Sequence, residues 1–276
     1  MLINADKSSI SQFNHIEKNK VNFTEETPHA SHSESNQTQE TRPNFDVFVT
    51  RSSDELVTYS PSSLANSGRS TASDSQISKI PTLLAAKMAG LAVDSSNNPI
   101  INNQTDSTNY QNAMRTIKGN HANLSYKSSY RYSQTGSNSY GYSNPRQSCA
   151  TFALATALSI YNNRSITPDK IQTNSSSNGT GTNWNAHGAF PVTASEADTL
   201  LAVDAQLQLG NPVLIHAVGK DSSGNDSEHW ATVIGKQNGE YTIIDPWNGK
   251  ECSLDEMQIY KNQGRLTGYV ILSNEY

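Results

Sequence analysis

Residues 226–250 read DSEHWATVIGKQNGEYTIIDPWNGK. Two apolar runs rich in β-branched residues, WATVIG and YTII, stand on either side of Asn238-Gly239. That dipeptide tolerates the left-handed backbone of a tight hairpin turn better than almost any other. The pattern commits this stretch to an antiparallel hairpin, and the domain around it to a sheet. The hairpin also carries His229 at its start and Asp245 at its end, which a surface hairpin does not need.

Side-chain parity decides whether those two groups can meet. A two-residue turn at Asn238-Gly239 sets Thr232 opposite Asp245 and sends His229 to the other face. A three-residue loop over 237–239, with Gly239 left-handed, sets Ala231 opposite Asp245 instead. His229 is then a diagonal neighbour of Asp245, roughly 7–8 Å away at Cα and within side-chain reach. A His–Asp pair therefore requires an odd or bulged loop, with Ala231 across from Asp245.

The chain has 276 residues, of which 34% are apolar. Globular domains usually hold about 45–50%, so the core cannot extend over the whole length. The deficit concentrates in residues 1–75, which are rich in Ser, Thr, Asn, Gln and Glu. Such a segment buries too little to offset its ordering entropy, and a disordered N-terminal region is expected there. NFDVFV (44–49) is one short apolar island within it. His29 and His32 have metal-like spacing but lie in this polar tract, where solvated side chains are the simpler reading.

The formal charge of −5 offers no attraction for nucleic acid or an anionic membrane. The longest apolar run, PTLLAAKMAGLAV (81–93), contains a charge and is too short to span a bilayer. The N-terminus lacks the basic and apolar regions of a Sec signal.

Order is expected over 76–276, as helices first and a mostly antiparallel sheet afterwards, an α+β arrangement. The apolar periodicity predicts a helix in SQISKIPTLLAAKMAGLAVD (75–94), with Pro81 near its start. A second is predicted over 106–120, ending at Gly119. Tyr126, Tyr130 and Tyr132 alternate as in a strand. NPRQSCATFALATALSIYNN (144–163) reads as a buried central helix, apolar on most faces. Residues 174–185 read as a loop. Thr193 with Glu196 forms a capping-box pattern for a helix ending at Gly210, and Ser253 with Glu256 forms another for 253–264. NPVLIHAVG (211–219) and LTGYVIL (266–272) read as strands.

There are two cysteines, Cys149 and Cys252. They can form at most one disulfide, and nothing in the chain signals an oxidising compartment. Cys149 falls in the first turn of the central helix, where unpaired N–H groups and the helix dipole favour a thiolate. Cys252 also precedes a capped helix, but a peripheral, amphipathic one. A nucleophile on a buried helix is held more rigidly. A thiol nucleophile needs a base, and the base needs an orienting acceptor. Of the seven histidines, His15, His29, His32 and His121 precede Cys149 in polar sequence. His216 sits inside an apolar strand, as a core histidine does. His187 lies in a loop and stays a candidate, while His229 has Asp245 sixteen residues on.

Together QSCATFALATAL, GNPVLIHAV, HWATVIG and YTIIDPWNGK resemble the papain-like cysteine peptidase superfamily. They resemble its C39-like branch, and also papain-fold proteases and deamidases that bacteria deliver into host cells. The resemblance covers residues 144–272. It implies that Cys149 is the nucleophile, His229 the general base and Asp245 the orienter. It also implies that Trp247 shields the His–acid hydrogen bond, with plain packing the alternative. Two departures stand out: Ala150 follows the cysteine where the family often has Gly, and Ser143 occupies the place of its oxyanion Gln. Asn144 and Gln147 are the nearby amide donors that could replace that Gln.

The expected activity is amide-bond hydrolysis through a Cys-His-Asp triad, as a cysteine protease. Glutamine deamidation by the same triad and a non-enzymatic binding module on the same fold are the alternatives. The expected partner is a protein or peptide substrate, a host protein included, acted on by a monomer without metal or cofactor. The Ser/Asn-rich N-terminus resembles the export region of type III effectors, which implies secretion without a Sec signal. A cytoplasmic enzyme with a loose tail is the alternative.

Overall fold

The computed structural model describes residues 77–175 and 180–273, together with the backbone of 47–51 and 55–59. The expected disorder of residues 1–75 and the His29/His32 pair lie outside the described residues. The exceptions within that stretch are β1 (Val47–Arg51) and β2 (Glu55–Tyr59), which form an antiparallel hairpin.

Among the described residues three helices precede the main sheet, as the hydrophobic pattern predicts, and two more lie between its strands. Helix α1 (Ile80–Met88) starts with Pro81 in its first turn, where a missing N–H costs nothing. Helix α2 (Gln104–Ile117) begins two residues earlier than expected because Asn103 caps it, accepting from the Asp106 N–H at 2.9 Å. Helix α3 (Cys149–Tyr161) is the central helix, with every residue from Thr151 to Tyr161 buried. A 3₁₀ turn, Pro145–Gln147, leads into it. Helix α4 (Glu196–Gln208) is capped by Ser195, whose Oγ accepts from the Asp198 N–H at 3.2 Å. Thr193, the expected cap, belongs instead to β5 (Ala189–Thr193), because pairing with the next strand holds it extended.

The main sheet is six-stranded and antiparallel, in the order β5-β10-β6-β7-β8-β9. Its other members are β6 (Val213–Lys220), β7 (Asp226–Gln237), β8 (Glu240–Asp245), β9 (Lys250–Ser253) and β10 (Arg265–Leu272). Pro191 sits in β5, at the sheet edge, where a strand tolerates the lost donor. The two faces of the sheet bury different helices. Val213, Ile215, Tyr269 and Ile271 join Val203 and Leu207 of α4. Leu214, Val270 and Leu272 join Phe152, Leu154 and Leu158 of α3. Each fully buried residue of this size contributes about 1.5–3 kcal/mol. The polar groups that α3 carries inward are satisfied: the Ile166 N–H donates to Ser159 Oγ at 2.8 Å, and Thr232 Oγ1 of β7 donates to Ala153 O at 3.0 Å.

Several local expectations need correction. The tyrosine stretch is not a strand. It contains a 3₁₀ turn, Ser128–Tyr130, and buries Tyr130 and Tyr132 separately. Tyr132 goes to the α3 side of the core and Tyr130 to a small cluster with Ile160, Ile234 and Ile244. Within the expected loop at 174–185 the chain forms a short hairpin, β3 (Thr173–Ser175) with β4 (Thr180–Thr182). The Ser253–Glu256 capping box is present, but it opens a 3₁₀ turn, Leu254–Glu256. Only a short helix, α5 (Gln258–Lys261), follows. Among the described residues no helix is long and apolar enough to cross a membrane.

Candidate active site

The β7–β8 hairpin closes through a two-residue turn, and the odd register that the His–Asp pair requires comes from a bulge. Gln237 pairs with Glu240, and Asn238 and Gly239 both take positive φ, 53° and 85°. That turn alone would put His229 and Asp245 on opposite faces. The parity is restored further up the hairpin. Gly235 pairs with Thr242 but Val233 pairs with Ile243, so Ile234 is an extra residue, a β-bulge. Continued one residue beyond Thr232↔Ile244, this register sets Ala231 across from Asp245. His229 then falls on the face of Asp245.

The bulge has a visible cause. Strand β6 begins at Val213, opposite Val233. Beyond that point residues 121–124 take its place beside β7. The His121 N–H donates to Lys236 O at 2.7 Å, the Lys236 N–H returns to His121 O at 2.8 Å, and the Leu124 N–H donates to Ile234 O at 2.8 Å. Asn123 passes so close to Gly235 that a Cβ there would lie 2.1 Å from its Oδ1. Glycine is required at 235 by this approach.

With the faces aligned, His229 Nε2 lies 2.7 Å from Asp245 Oδ1, and both residues are 8% exposed. A carboxylate only accepts, so Nε2 carries the proton and donates. The Trp247 N–H donates to the same Oδ1 at 2.8 Å and fixes the carboxylate. The Cys149 side chain is half-buried, and its thiol hydrogen-bonds the His229 ring. Since Nε2 is engaged by Asp245, Nδ1 is the nitrogen left to the thiol. Burial of the ring opposes its protonation. The hydrogen bonds to Asp245 and Cys149 outweigh burial and push the His229 pKa up to about 9.

The structure thus brings Cys149, His229 and Asp245 together from α3, β7 and the end of β8. Asn144 precedes the 3₁₀ turn ahead of Cys149, and Gln147 ends it. Asn144 is half-buried and its carbonyl accepts from the Gln147 N–H at 3.2 Å, while Gln147 is exposed. Trp247 is 45% exposed, and Arg146 lies over its indole, 5.8 Å from the ring centroid. Its backbone does more at the site than its ring: the N–H holds Asp245, and the carbonyl accepts from Ser133 and Thr135.

The other described histidines have other tasks. His187 Nε2 accepts from the Gln172 N–H at 2.8 Å, and burial lowers its pKa. His216 stacks on Trp230 at 4.6 Å and bonds Thr267 Oγ1 at 2.8 Å. His121 Nε2 bonds Ile117 O at 2.7 Å. Cys252 is a free thiol, and burial first, then the charges of Asp245 and Glu256, push its pKa up to about 11. Among the described residues no three His, Cys, Asp or Glu side chains group as metal ligands.

Two contributors escape a reading of residue types. One is the Ile234 bulge, which only Gly235 hints at. The other is the polar stretch 132–135, which clasps the loop after Asp245 and carries no recognisable motif. A scan against protein-family models found no match to the chain, and no curated protein matches it.

Proposed function

We propose that this chain is a thiol-dependent hydrolase of protein amide bonds, a cysteine protease of papain-like build. The observation that carries the reading is the convergence of three residues far apart in sequence. His229 is hydrogen-bonded to Asp245 at 2.7 Å on one side and to the Cys149 thiol on the other. A nucleophile at a helix N-terminus, a base beside it and an acceptor behind the base are the parts that acyl transfer needs. A nucleophile helix packed on an antiparallel sheet, with base and acid on neighbouring strands, supports the papain-like assignment.

His229 takes the Cys149 proton, and the raised ring pKa favours the resulting thiolate–imidazolium pair. The sulfur attacks the amide carbonyl carbon, forming the S–C bond and a tetrahedral oxyanion. The backbone N–H of Cys149, at the N-terminal end of α3, would hold that charge, with Asn144 or Gln147 as the side-chain donor. The C–N bond breaks as His229 protonates the leaving nitrogen, which leaves a thioester. Water then gives a proton to His229 and attacks the thioester, releasing the acid and the thiol group. Asp245 keeps the ring oriented throughout.

The same intermediates serve a Gln side chain, so product mass separates the two outcomes. Proteolysis gives fragments, whereas deamidation leaves the substrate whole and exchanges NH₂ for OH. The decisive test is a thiol-directed activity probe read by peptide mass spectrometry. Labelling of Cys149 that is lost in His229→Ala supports the reading. A Cys149 that stays unlabelled while Cys252 reacts overturns it, and full biological effect in Cys149→Ala favours a binding module. Delivery into a host cell belongs to the same proposal and rests on the composition of residues 1–75.

A further inference from the structure

One buried polar residue touches both halves of this site, through its backbone on one side and its side chain on the other. Gln134 is 2% exposed. Its backbone N–H donates at 2.7 Å to the carbonyl of Pro246, the residue after Asp245. Its side-chain Nε2 donates at 2.8 Å to the carbonyl of Pro145, which opens the 3₁₀ turn ahead of Cys149. A single residue therefore ties the turn before the nucleophile to the loop behind the acid.

The neighbours of Gln134 complete a strap. Tyr132, buried against α3, hydrogen-bonds Ser159 Oγ at 3.3 Å and Ser165 Oγ at 3.0 Å through its hydroxyl. At the other end Ser133 Oγ (3.3 Å), Thr135 Oγ1 (2.7 Å) and the Thr135 N–H (3.2 Å) all donate to Trp247 O. Residues 132–135 are thus fastened to the nucleophile helix at one end and to the acid loop at the other. Gln134 Oε1 has no hydrogen-bond partner among the described residues. A buried amide oxygen in that state is a stability cost, so the donor end is what the amide supplies here.

We propose that Gln134 is a positioning residue: its two donated hydrogen bonds set the spacing between the Cys149 helix and the Asp245 loop, and with it the approach of the thiol to His229. This inference rests on the hydrolase reading above. Misplacement of about 1 Å in such a constellation is enough to lose most of the rate. Gln134→Met keeps length and volume but removes the donor to Pro145. Gln134→Glu replaces that donor with an acceptor aimed at a carbonyl.

The test uses the full chain and iodoacetamide. Alkylation of Cys149 is followed from pH 5 to pH 9 by peptide mass spectrometry, which separates it from Cys252, with circular dichroism as the check of folding. The wild-type profile, with the His229 ring beside the thiol, is the reference. Gln134→Met and Gln134→Glu are expected to slow alkylation at pH 6 at least about tenfold and to move the profile toward that of an ordinary thiol. Thr135→Val, on the exposed side of the strap, moves it the same way by less. Folded Gln134 variants with the wild-type profile overturn the proposal. Where the Gln134 variants do not fold, Thr135→Val decides: a displaced profile supports the proposal and an unchanged one overturns it. A wild-type Cys149 that titrates as an ordinary thiol refutes the hydrolase reading itself, which is a different outcome.

Discussion

Replacing Asp245 by Asn keeps the shape of the acid and a hydrogen-bond acceptor but removes the charge. The consequence can be worked from the geometry. His229 is 8% exposed, and burial alone would lower its pKa below the ordinary 6.5. It stands at about 9 because Asp245, bonded at 2.7 Å, and Cys149 favour the protonated ring. The distance from 6.5 to about 9 corresponds to roughly 3 kcal/mol of preference for imidazolium. A hydrogen bond to a charged group supplies about 1.5–3 kcal/mol of such a balance. In Asp245→Asn the His229 midpoint should therefore fall by about one to two pH units. The assay is an NMR titration of the imidazole ¹³C resonances, with His229 assigned by its loss in His229→Gln. Stability provides a second reading. A folded pKa raised above the unfolded value contributes stability that is full below about 6.5 and lost as pH rises through about 9. Unfolding free energy of the wild type should decline across that window, and that of Asp245→Asn should decline less. A midpoint that stays near 9 in the Asn variant would refute the reasoning, because the Asp245 charge would not be what holds the proton.

Other outcomes follow from the same contacts. Gly235→Ala drives a Cβ into Asn123, whose Cα as well as Oδ1 lies within 3 Å of it. Chemical denaturation should show a loss of about 1–3 kcal/mol, together with slower Cys149 labelling as the bulge shifts. Lys236 donates to both Asp204 carboxylate oxygens at 2.9 Å and to Lys118 O at 3.1 Å, and Tyr241 OH donates to the same carboxylate at 2.9 Å. Lys236→Ala leaves Asp204 buried without its cation and should cost about 3–5 kcal/mol in urea unfolding. A larger loss in Lys236→Ala than in the Lys236→Met, Asp204→Leu pair would identify the stranded charge as the cause. At pH 8 iodoacetamide should label Cys149 well before Cys252, whose thiol is held near 11; equal rates would contradict the contrast between the two environments.

Local chemistry was sufficient for much of the fold. The all-round apolar run of α3, the Asn238-Gly239 turn and the apolar strands β6 and β10 are each dictated within a dozen residues. So the α+β order follows from the sequence alone. Where local signals competed, neighbours far along the chain decided. Thr193 and Ser195 are both competent caps, and strand pairing by β5 removed Thr193 from the helix. The alternating tyrosines suited a strand, yet Tyr130 and Tyr132 were drawn into separate clusters around α3 and the β7–β8 hairpin.

The candidate site divides in the same way. Cys149, His229 and Asp245 are legible in the sequence because a thiol at a helix start, a histidine opening a strand and an acid closing the next one are chemically costly placements without a use. Their meeting is not legible. It depends on one extra residue at Ile234, held there by hydrogen bonds from residues more than a hundred positions earlier. It depends also on the 132–135 strap, whose side chains are ordinary until folding places them between Pro145 and Pro246. Sequence determines which groups are available and which way each element tends to turn. Side-chain parity in a sheet changes completely with one residue of register, and register is set by whatever packs alongside. Only the tertiary structure could decide that the base and the acid share a face.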